Sequence, residues 1–169
     1  AYVVTGGGNY CAGGAGVHVG LSASNIGFSY QLYDATATAV GGPLAGTGAA
    51  LDYGLITAVG TYTVVATNVA TGCVNDMMGS AIVGTDPLPA VYNVTGGGAY
   101  CSGGPGVNVD LDNSDPGSNY QLYKDGAAVG AVVGGTGFPI TFGPQTMAGA
   151  YTVVAIGATG CTENMAGFA

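Results

Sequence analysis

The four cysteines are the residues of this chain whose chemistry is easiest to anticipate. Cys11 and Cys73 are separated by 62 positions, and Cys101 and Cys161 by 60. A zinc site would need closely spaced ligand pairs such as C-x-x-C, which the sequence lacks. The similar separations predict two disulfides, Cys11–Cys73 and Cys101–Cys161, in an oxidising or extracellular compartment. Free buried thiols are the alternative.

A run of carboxylates is the second candidate site. Asp110, Asp112 and Asp115 occur in the segment D-L-D-N-S-D. Carboxylates two residues apart point to one face of a strand, and a third from the following turn could complete an oxygen cage for Ca²⁺. A solvated acidic edge is the favoured interpretation and calcium the minor one, because Ser22 and Asn25 stand at the matching positions in the first half of the chain.

No set of residues predicts catalysis. His18 is the single histidine, and its position between Val17 and Val19 indicates an outward-facing strand residue. No serine or cysteine can be given the histidine and acid partners that activate a nucleophile. The glycine runs at 6–8 and 96–98 lack the lysine and the helix of a phosphate-binding loop. We expect a protein that is not an enzyme and has neither a cofactor nor a metal.

These residues belong to a module that occurs twice. Residues 2–33 align without a gap on residues 92–123, and 20 of the 32 positions are identical. A period of this length is typical of a small domain rather than of a solenoid repeat. Because both ends of the chain fall at module borders, we expect two modules from a longer array.

The alignment also predicts where the modules begin and end. Pro87 and Pro89 lie in the segment that connects the copies and should make it stiff. The predicted boundaries are module 1 at 1–81, a linker at 82–90 and module 2 at 91–169.

Composition excludes several classes of partner. The formal net charge is −8, charged residues make up 6% of the chain, and Lys124 is the one residue of type Lys or Arg. Binding to nucleic acid or to anionic lipid requires clustered basic residues, so neither is expected. No apolar run reaches the roughly 18 residues of a membrane helix, so membrane insertion is not expected either.

Short alternating segments predict an all-β fold. In the second copy, Val107, Val109 and Leu111 alternate with polar residues, and so do Tyr151 and Val153. The segments N-S-D-P-G and K-D-G between strands have strong turn chemistry. Six or seven short strands with turns every 8–12 residues are typical of a β-sandwich. We predict two tandem immunoglobulin-like antiparallel β-sandwiches with one disulfide each.

Tyrosines have two predicted roles. Tyr62 and Tyr151 each open the most hydrophobic strand of their copy, where the ring can pack in the core while the hydroxyl binds a turn, as in a tyrosine corner. Other tyrosines, such as Tyr33 and Tyr123, could stack on sugar rings if they are exposed. Core packing and cross-strand pairing are the favoured explanation for most of them.

The consensus of the two copies is V-T-G-G-G-x-Y-C-x-G-G-x-G-V, followed by Y-Q-L-Y, G-T-G, Y-T-V-V-A and T-G-C-x-x-x-M. It resembles the repeated immunoglobulin-like modules of giant secreted surface proteins of Bacteroidota, which often carry a gliding-motility-associated C-terminal region and leave the cell by type IX secretion. The resemblance covers residues 1–81 and 91–169. It implies a stalk or filament segment of an extracellular, cell-surface adhesin used in attachment or gliding.

The resemblance also implies the partners of such a segment. They would be neighbouring repeats of the same long chain and other copies in a filament, with surface polysaccharide as a further candidate. Two alternative functions stay open, a glycan-binding module and a module that self-assembles by strand addition.

Overall fold

The short alternating segments fold into strands throughout the chain. A computed structural model describes residues 1–169 as sixteen strands joined by turns, with no helix. The chain divides into two compact units, residues 1–86 and residues 87–169.

Unit 1 contains nine strands. They are β1 Val4–Gly6, β2 Gly8–Cys11, β3 Val17–Leu21, β4 Phe28–Tyr33, β5 Ala39–Ala45, β6 Leu51–Ile56, β7 Gly60–Asn68, β8 Val74–Asp76 and β9 Ala81–Asp86. One sheet has the order β1-β3-β6 and the other β2-β9-β7-β4-β5, with β8 also paired to β7. All pairs are antiparallel except β2 with β9, which run parallel.

Unit 2 repeats most of this arrangement with seven strands. They are β10 Val94–Gly96, β11 Val107–Leu111, β12 Asn119–Lys124, β13 Ala127–Gly134, β14 Ile140–Gln145, β15 Tyr151–Ile156 and β16 Thr162–Asn164. The sheets have the orders β10-β11-β14 and β13-β12-β15-β16. Unit 2 therefore has no counterpart of the parallel β2–β9 pair.

Each unit has its own hydrophobic core between its two sheets. In unit 1, Val19 and Leu21 of one sheet pack in the same cluster as Tyr30, Leu32 and Val64 of the other, and all five are almost fully buried. The matching cluster in unit 2 is built from the matching strands. The predicted all-β, immunoglobulin-like sandwich class is confirmed.

The hairpin predicted at K-D-G is present between β12 and β13, which pair antiparallel up to Lys124 and Ala127. Asp125 has φ 49° and Gly126 has φ 85°. A two-residue turn with both φ values positive matches the right-handed twist of the flanking strands, and an Asp-Gly sequence tolerates it.

The prediction that the linker begins at residue 82 is wrong. Residues 82–86 belong to β9, which pairs parallel with β2 and antiparallel with the start of β7. Val83 is 1% exposed and is part of the core of unit 1. The apolar side chain of Val83 is explained by burial in this core rather than by a connection between domains. The remaining residues of the predicted linker, 87–90, contain no strand.

Candidate functional site

The two cysteines of unit 1 lie at opposite ends of the sandwich. Cys11 is paired with Asp86 at the end where the chain leaves the unit. The carbonyl of Cys73 accepts a hydrogen bond from the amide of Asn68, at the other end of β7. A nine-residue strand at about 3.3 Å per residue puts roughly 30 Å between these ends. A disulfide requires Cα atoms about 4.4–6.8 Å apart, so Cys11 and Cys73 cannot bond to each other.

Unit 2 has the same arrangement. Cys101 follows Tyr100, whose hydroxyl donates to the carbonyl of Thr146 near the start of β15. The carbonyl of Cys161 accepts from the amide of Gly157 just beyond the end of β15. The predicted disulfide Cys101–Cys161 is therefore wrong for the same geometric reason.

The cysteines do not form the predicted single disulfide within each module. Cys11 and Cys161 are disulfide-bonded. Cys73 and Cys101 carry free thiols and are exposed. The predicted alternative of free buried thiols does not hold for these two either, because both are accessible to solvent.

The three aspartates proposed for a calcium cage do not come together. No group of three or more His, Cys, Asp or Glu side chains is arranged to hold a metal ion. Asp110 lies on β11 between Thr95 and Thr141 of the neighbouring strands, whereas the other two carboxylates hold the segment before β10. The calcium interpretation is not supported.

Asp112 and Asp115 accept hydrogen bonds from that segment. Asp112 accepts from the backbone amide of Asn93 at 2.8 Å and from its side-chain amide at 2.7 Å. The side-chain amide of Asn93, more than its backbone amide, lowers the pKa of Asp112. Asp115 accepts from the Tyr92 hydroxyl at 2.6 Å and the Ala90 amide at 2.9 Å. The hydrogen bond to Asp115 raises the pKa of Tyr92 to about 12.

Unit 1 makes the same connections with uncharged side chains. The Ser22 hydroxyl accepts from the Val3 amide at 3.1 Å, and the Asn25 side-chain oxygen accepts from the Tyr2 hydroxyl at 2.7 Å. Asp112 and Asp115 of unit 2 therefore make, with charged side chains, contacts that Ser22 and Asn25 make in unit 1. In both copies these contacts hold the segment before the first strand. These contacts explain why the positions are polar in both repeats.

His18 faces solvent, as the alternation predicted. Its Nδ1 lies 2.7 Å from a carboxylate oxygen of Asp52, and 63% of the His18 side chain is exposed. The pKa of Asp52 is lowered first by the hydrogen bond from the Gly54 amide and then by His18. The pair lies across β3 and β6, and no third His, Cys, Asp or Glu side chain joins it to form a metal site.

Tyr62 and Tyr151 make the hydrogen bonds of a tyrosine corner. Their hydroxyls donate to the carbonyls of Ala58 and Met147, four residues upstream, at 2.6 and 2.7 Å. Both side chains are almost fully buried. Each corner closes the turn that leads into the central strand of its unit.

A second pair of tyrosines, whose hydrogen bonds were not predicted from the sequence, binds a turn at the other end of each unit. The hydroxyl of Tyr30 accepts from the amide of Asn25 at 2.9 Å, and that of Tyr120 from the amide of Asp115 at 2.7 Å. Both rings are fully buried, so they cannot stack on a sugar. The signal was present in the shared Y-Q-L-Y motif, since a repeated tyrosine five residues after a polar turn residue can reach back to that turn.

Tyr53 differs from these tyrosines. Its hydroxyl is buried and has no hydrogen-bond partner. Burial, together with the nearby Tyr30, raises the pKa of Tyr53 to about 12. The matching residue in unit 2 is Phe142, which fills the position without a polar atom.

Two clefts are candidates for a ligand. One, of about 390 Å³, lies in unit 1 and is lined by Tyr33, Asp34, Thr63 and Asp76 among others. The other, of about 300 Å³, lies in unit 2 between residues 97–100 and residues 147–151. Neither cleft was predicted from the sequence, because each is lined by residues that lie far apart in the chain.

No protein-family model matches this chain, and a comparison with curated proteins finds no match. The structure contains no helix with the length and hydrophobicity that a bilayer crossing requires. What the chain does must therefore be argued from its own geometry.

Proposed function

We propose that this chain is a force-transmitting segment of a stalk or filament of a large extracellular bacterial surface protein, which presents adhesive elements for attachment or gliding. Its partners are neighbouring repeats of the same long chain and other copies in a filament. One observation carries the proposal: the polypeptide passes through unit 1 from one end of the sandwich to the other.

The contacts at the two ends of unit 1 support this path. The incoming chain is held by the hydrogen bond from Tyr2 to Asn25, and the nearby turn contains Cys73. The outgoing chain leaves β9 at Asp86, beside Cys11. A domain whose chain enters and leaves at opposite ends adds its full length to a serial array. A domain with adjacent ends does not.

The terminal strands of unit 1 are also suited to tension. β2 and β9 are parallel, with the four residue pairs Gly8–Val83 to Cys11–Asp86. Pulling the incoming chain draws β2 toward one end, and pulling the outgoing chain draws β9 toward the other. The hydrogen bonds between them are then loaded together in shear rather than opened one after another.

Single-molecule pulling on the whole chain, in the presence of a thiol reductant, tests the proposal. Forced unfolding reports the rate of unfolding, and unit 2 serves as an internal control because it lacks the β2–β9 pair. We expect two unfolding events, of which the one at higher force belongs to unit 1. Two events at equal, low force would remove the mechanical basis for a stalk.

Variants in β9 assign the high-force event. Val83 is 1% exposed, whereas its neighbour Ile82 is 66% exposed. Val83→Asp should abolish the high-force event because it puts a charge into the core. Ile82→Asp is the matched control and should leave that event in place.

Glycan binding is the second candidate, favoured by the cleft of unit 1. Tyr33 is half-buried there, and Asp34 and Asp76 could accept hydrogen bonds from sugar hydroxyls. Surface polysaccharide titrated into the chain should then shift the NMR resonances of Tyr33, and Tyr33→Ala should abolish the shift. Unchanged resonances would remove this candidate and leave the stalk proposal intact.

A further inference from the structure

The cleft of unit 1 lies on the outer face of the larger sheet. Thr63 and Val65 of β7 face outward, because the residues that alternate with them are buried in the core. Tyr33 of β4 lies opposite Thr63, and Asp76 of β8 lies opposite Val65. Residues of the loop after Tyr33 form a further wall. The cleft volume of about 390 Å³ is in the range of small-molecule sites.

Two carboxylates border the cleft and keep oxygens available for a ligand. Oδ1 of Asp34 accepts hydrogen bonds from the Thr36 hydroxyl at 2.7 Å, the Thr36 amide at 2.8 Å and the Thr38 amide at 3.0 Å. The Thr36 hydroxyl contributes most to lowering the pKa of Asp34, which keeps this carboxylate ionised at neutral pH. Oδ2 of Asp34 and the Asp76 carboxylate accept no hydrogen bond from the protein.

No lysine or arginine of unit 1 compensates these two carboxylates. The one residue of either type in the chain is Lys124, which belongs to unit 2. His18 lies on β3 of the other sheet, where it pairs with Asp52. An anionic ligand would be repelled by the cleft, whereas a ligand with a positively charged group would be attracted.

Unit 2 provides its own ammonium group at the matching place. Lys124 and Asp34 each directly follow the last residue of the gap-free alignment. Nζ of Lys124 lies 2.8 Å from Oδ2 of Asp125, and 20% of the Lys124 side chain is exposed. Oδ1 of Asp125 accepts from the amide of Ala150 at 3.0 Å. Ala150 is the counterpart of Thr61, which lines the cleft of unit 1.

The second carboxylate of the cleft also has no acidic counterpart in unit 2. Asn164 lies opposite Val154 of β15, as Asp76 lies opposite Val65 of β7. Two positions on different strands therefore differ together between the copies. They are acidic in the copy without a lysine and basic or neutral in the copy with one. This difference indicates that the carboxylates of unit 1 bind ammonium groups that do not belong to unit 1.

The other residues of the cleft favour a sugar over a basic peptide. Tyr33 and Val65 are half-buried and provide an apolar surface for one face of a sugar ring. The hydroxyls of Thr61 and Thr63 can both donate to and accept from sugar hydroxyls. The tyrosine ring also attracts a nearby cation.

We propose that the cleft of unit 1 binds a polysaccharide whose sugars carry free amino groups. This inference rests on the glycan-binding candidate described above and names the ligand of that site. Asp34 follows Tyr33 toward the start of β7, whereas Asp76 lies opposite Val65, so the two carboxylates border different parts of the cleft. A chain with an amino group on successive sugars places one ammonium group at each carboxylate.

An NMR titration of the whole chain tests the proposal with two probes, an oligomer of glucosamine and its N-acetylated form, in mildly acidic buffer. The glucosamine oligomer should shift the resonances of Tyr33 and Thr63 until they saturate. The N-acetylated form should bind about tenfold more weakly, because each exposed ion pair contributes a factor of a few to the affinity. Tyr123 of unit 2 is the internal control, and its resonances should not move.

A pair of variants separates the local carboxylate from the overall charge. Asp76→Asn reproduces Asn164 of unit 2 and removes an exposed group without a hydrogen bond, so the fold should not change. It should weaken binding of the glucosamine oligomer about threefold and leave binding of the N-acetylated form unchanged. Asp52→Asn is the matched control, because it changes the net charge equally on the other sheet. Its affinity for the glucosamine oligomer should equal that of the native chain.

Three results would overturn the proposal, and they differ in what they leave standing. Equal affinity for the two oligomers would leave a glycan site that does not recognise amino groups. Resonances of Tyr33 that move with neither oligomer would remove the glycan-binding candidate as well. Tighter binding of an oligomer of lysine, insensitive to Tyr33→Ala, would identify a basic peptide as the ligand. The stalk proposal is tested separately by the pulling experiment.

Discussion

At the residue scale, the two copies of the module bind the same backbone amide with different side chains. The amide of residue 3 or 93, just before the first strand, needs an acceptor, which is the Ser22 hydroxyl in one unit and the Asp112 carboxylate in the other. The difference in charge does not change the contact. It does make the stability of unit 2 depend on pH.

We expect Asp112 to contribute stability that acid removes. Its pKa is lowered, first by the Asn93 side-chain amide, so the folded state binds the proton less well than the unfolded state. The contribution is present above the unfolded pKa of about 4 and is lost as pH falls through the lowered folded value. The free-energy difference between the native chain and Asp112→Asn, measured by urea unfolding, should therefore shrink in acid.

Ser22→Ala is the control for this measurement. It removes an uncharged acceptor from the matching amide in unit 1. Its cost should be the same at neutral and at acidic pH. A cost of Asp112→Asn that also stays constant would contradict the assignment.

Tyr53→Phe should stabilise unit 1 or leave its stability unchanged. The variant removes a buried hydroxyl that has no partner and reproduces the Phe142 of unit 2. Desolvating an unpaired polar group costs about 1–3 kcal/mol, so a gain of about 1 kcal/mol in the free energy of unfolding is expected. Tyr62→Phe is the matched variant, because it breaks the hydrogen bond to Ala58 and should cost about 1 kcal/mol. Equal effects of the two variants would show that the hydroxyl of Tyr53 does find a partner.

At the element scale, the clearest strands could be predicted from the sequence. The alternation through 107–111 and 151–156 corresponds to β11 and β15, since a strand with one buried face repeats every two residues. β9 could not be found this way. Its Ile-Val-Gly-Thr-Asp sequence has one residue in the core, and its role depends on β2, more than 70 residues earlier in the chain.

The prediction of the cysteine pairing failed for a related reason. Sequence separation measures the loop that a disulfide would close, but it does not tell at which end of a sandwich each cysteine lies. Cys11 is the last residue of a strand that runs toward one end, and Cys73 follows a strand that runs toward the other. The two pairs of cysteines have similar separations because the modules are repeats, and a disulfide is not needed to explain them.

The glycine at the end of β1 should tolerate substitution by alanine far less well than a glycine in an open turn. Gly6 has φ 83° and a Cβ there would overlap the carbonyl oxygen of His18, whereas Gly13 has φ 78° with open space around it. Alanine in the left-handed region costs about 1–2 kcal/mol by itself. Gly13→Ala should lower the free energy of unfolding by that amount alone. Gly6→Ala should lower it by about 3 kcal/mol or more, because the strand must also move.

Thermal or urea unfolding of both variants measures the difference between them. The difference isolates the steric overlap, since the backbone strain is common to the two sites. Equal losses would mean that β1 can shift away from His18 without cost.

At the scale of the whole molecule, two sandwiches with separate cores should respond separately to a core mutation. Val64 and Val153 are at matching places in the two cores and are 0% and 1% exposed. Replacing either with alanine should cost about 2 kcal/mol or more in its own unit. Hydrogen exchange resolved by residue should show faster opening in the mutated unit alone. Faster opening in both units would contradict independent cores.

The free thiols give the last prediction. Cys73 lies at the incoming end of unit 1, Cys101 lies at the outgoing end of unit 2, and both are exposed. Cys11 and Cys161 are already bonded, so an alkylating reagent applied to the native chain without reductant should attach to Cys73 and Cys101 alone. Mass spectrometry should find two labels on the native chain, one label on Cys73→Ser or Cys101→Ser, and four after reduction and unfolding. A native chain that takes no label would instead support one bond within each module, which the distance between the two ends of a sandwich argues against.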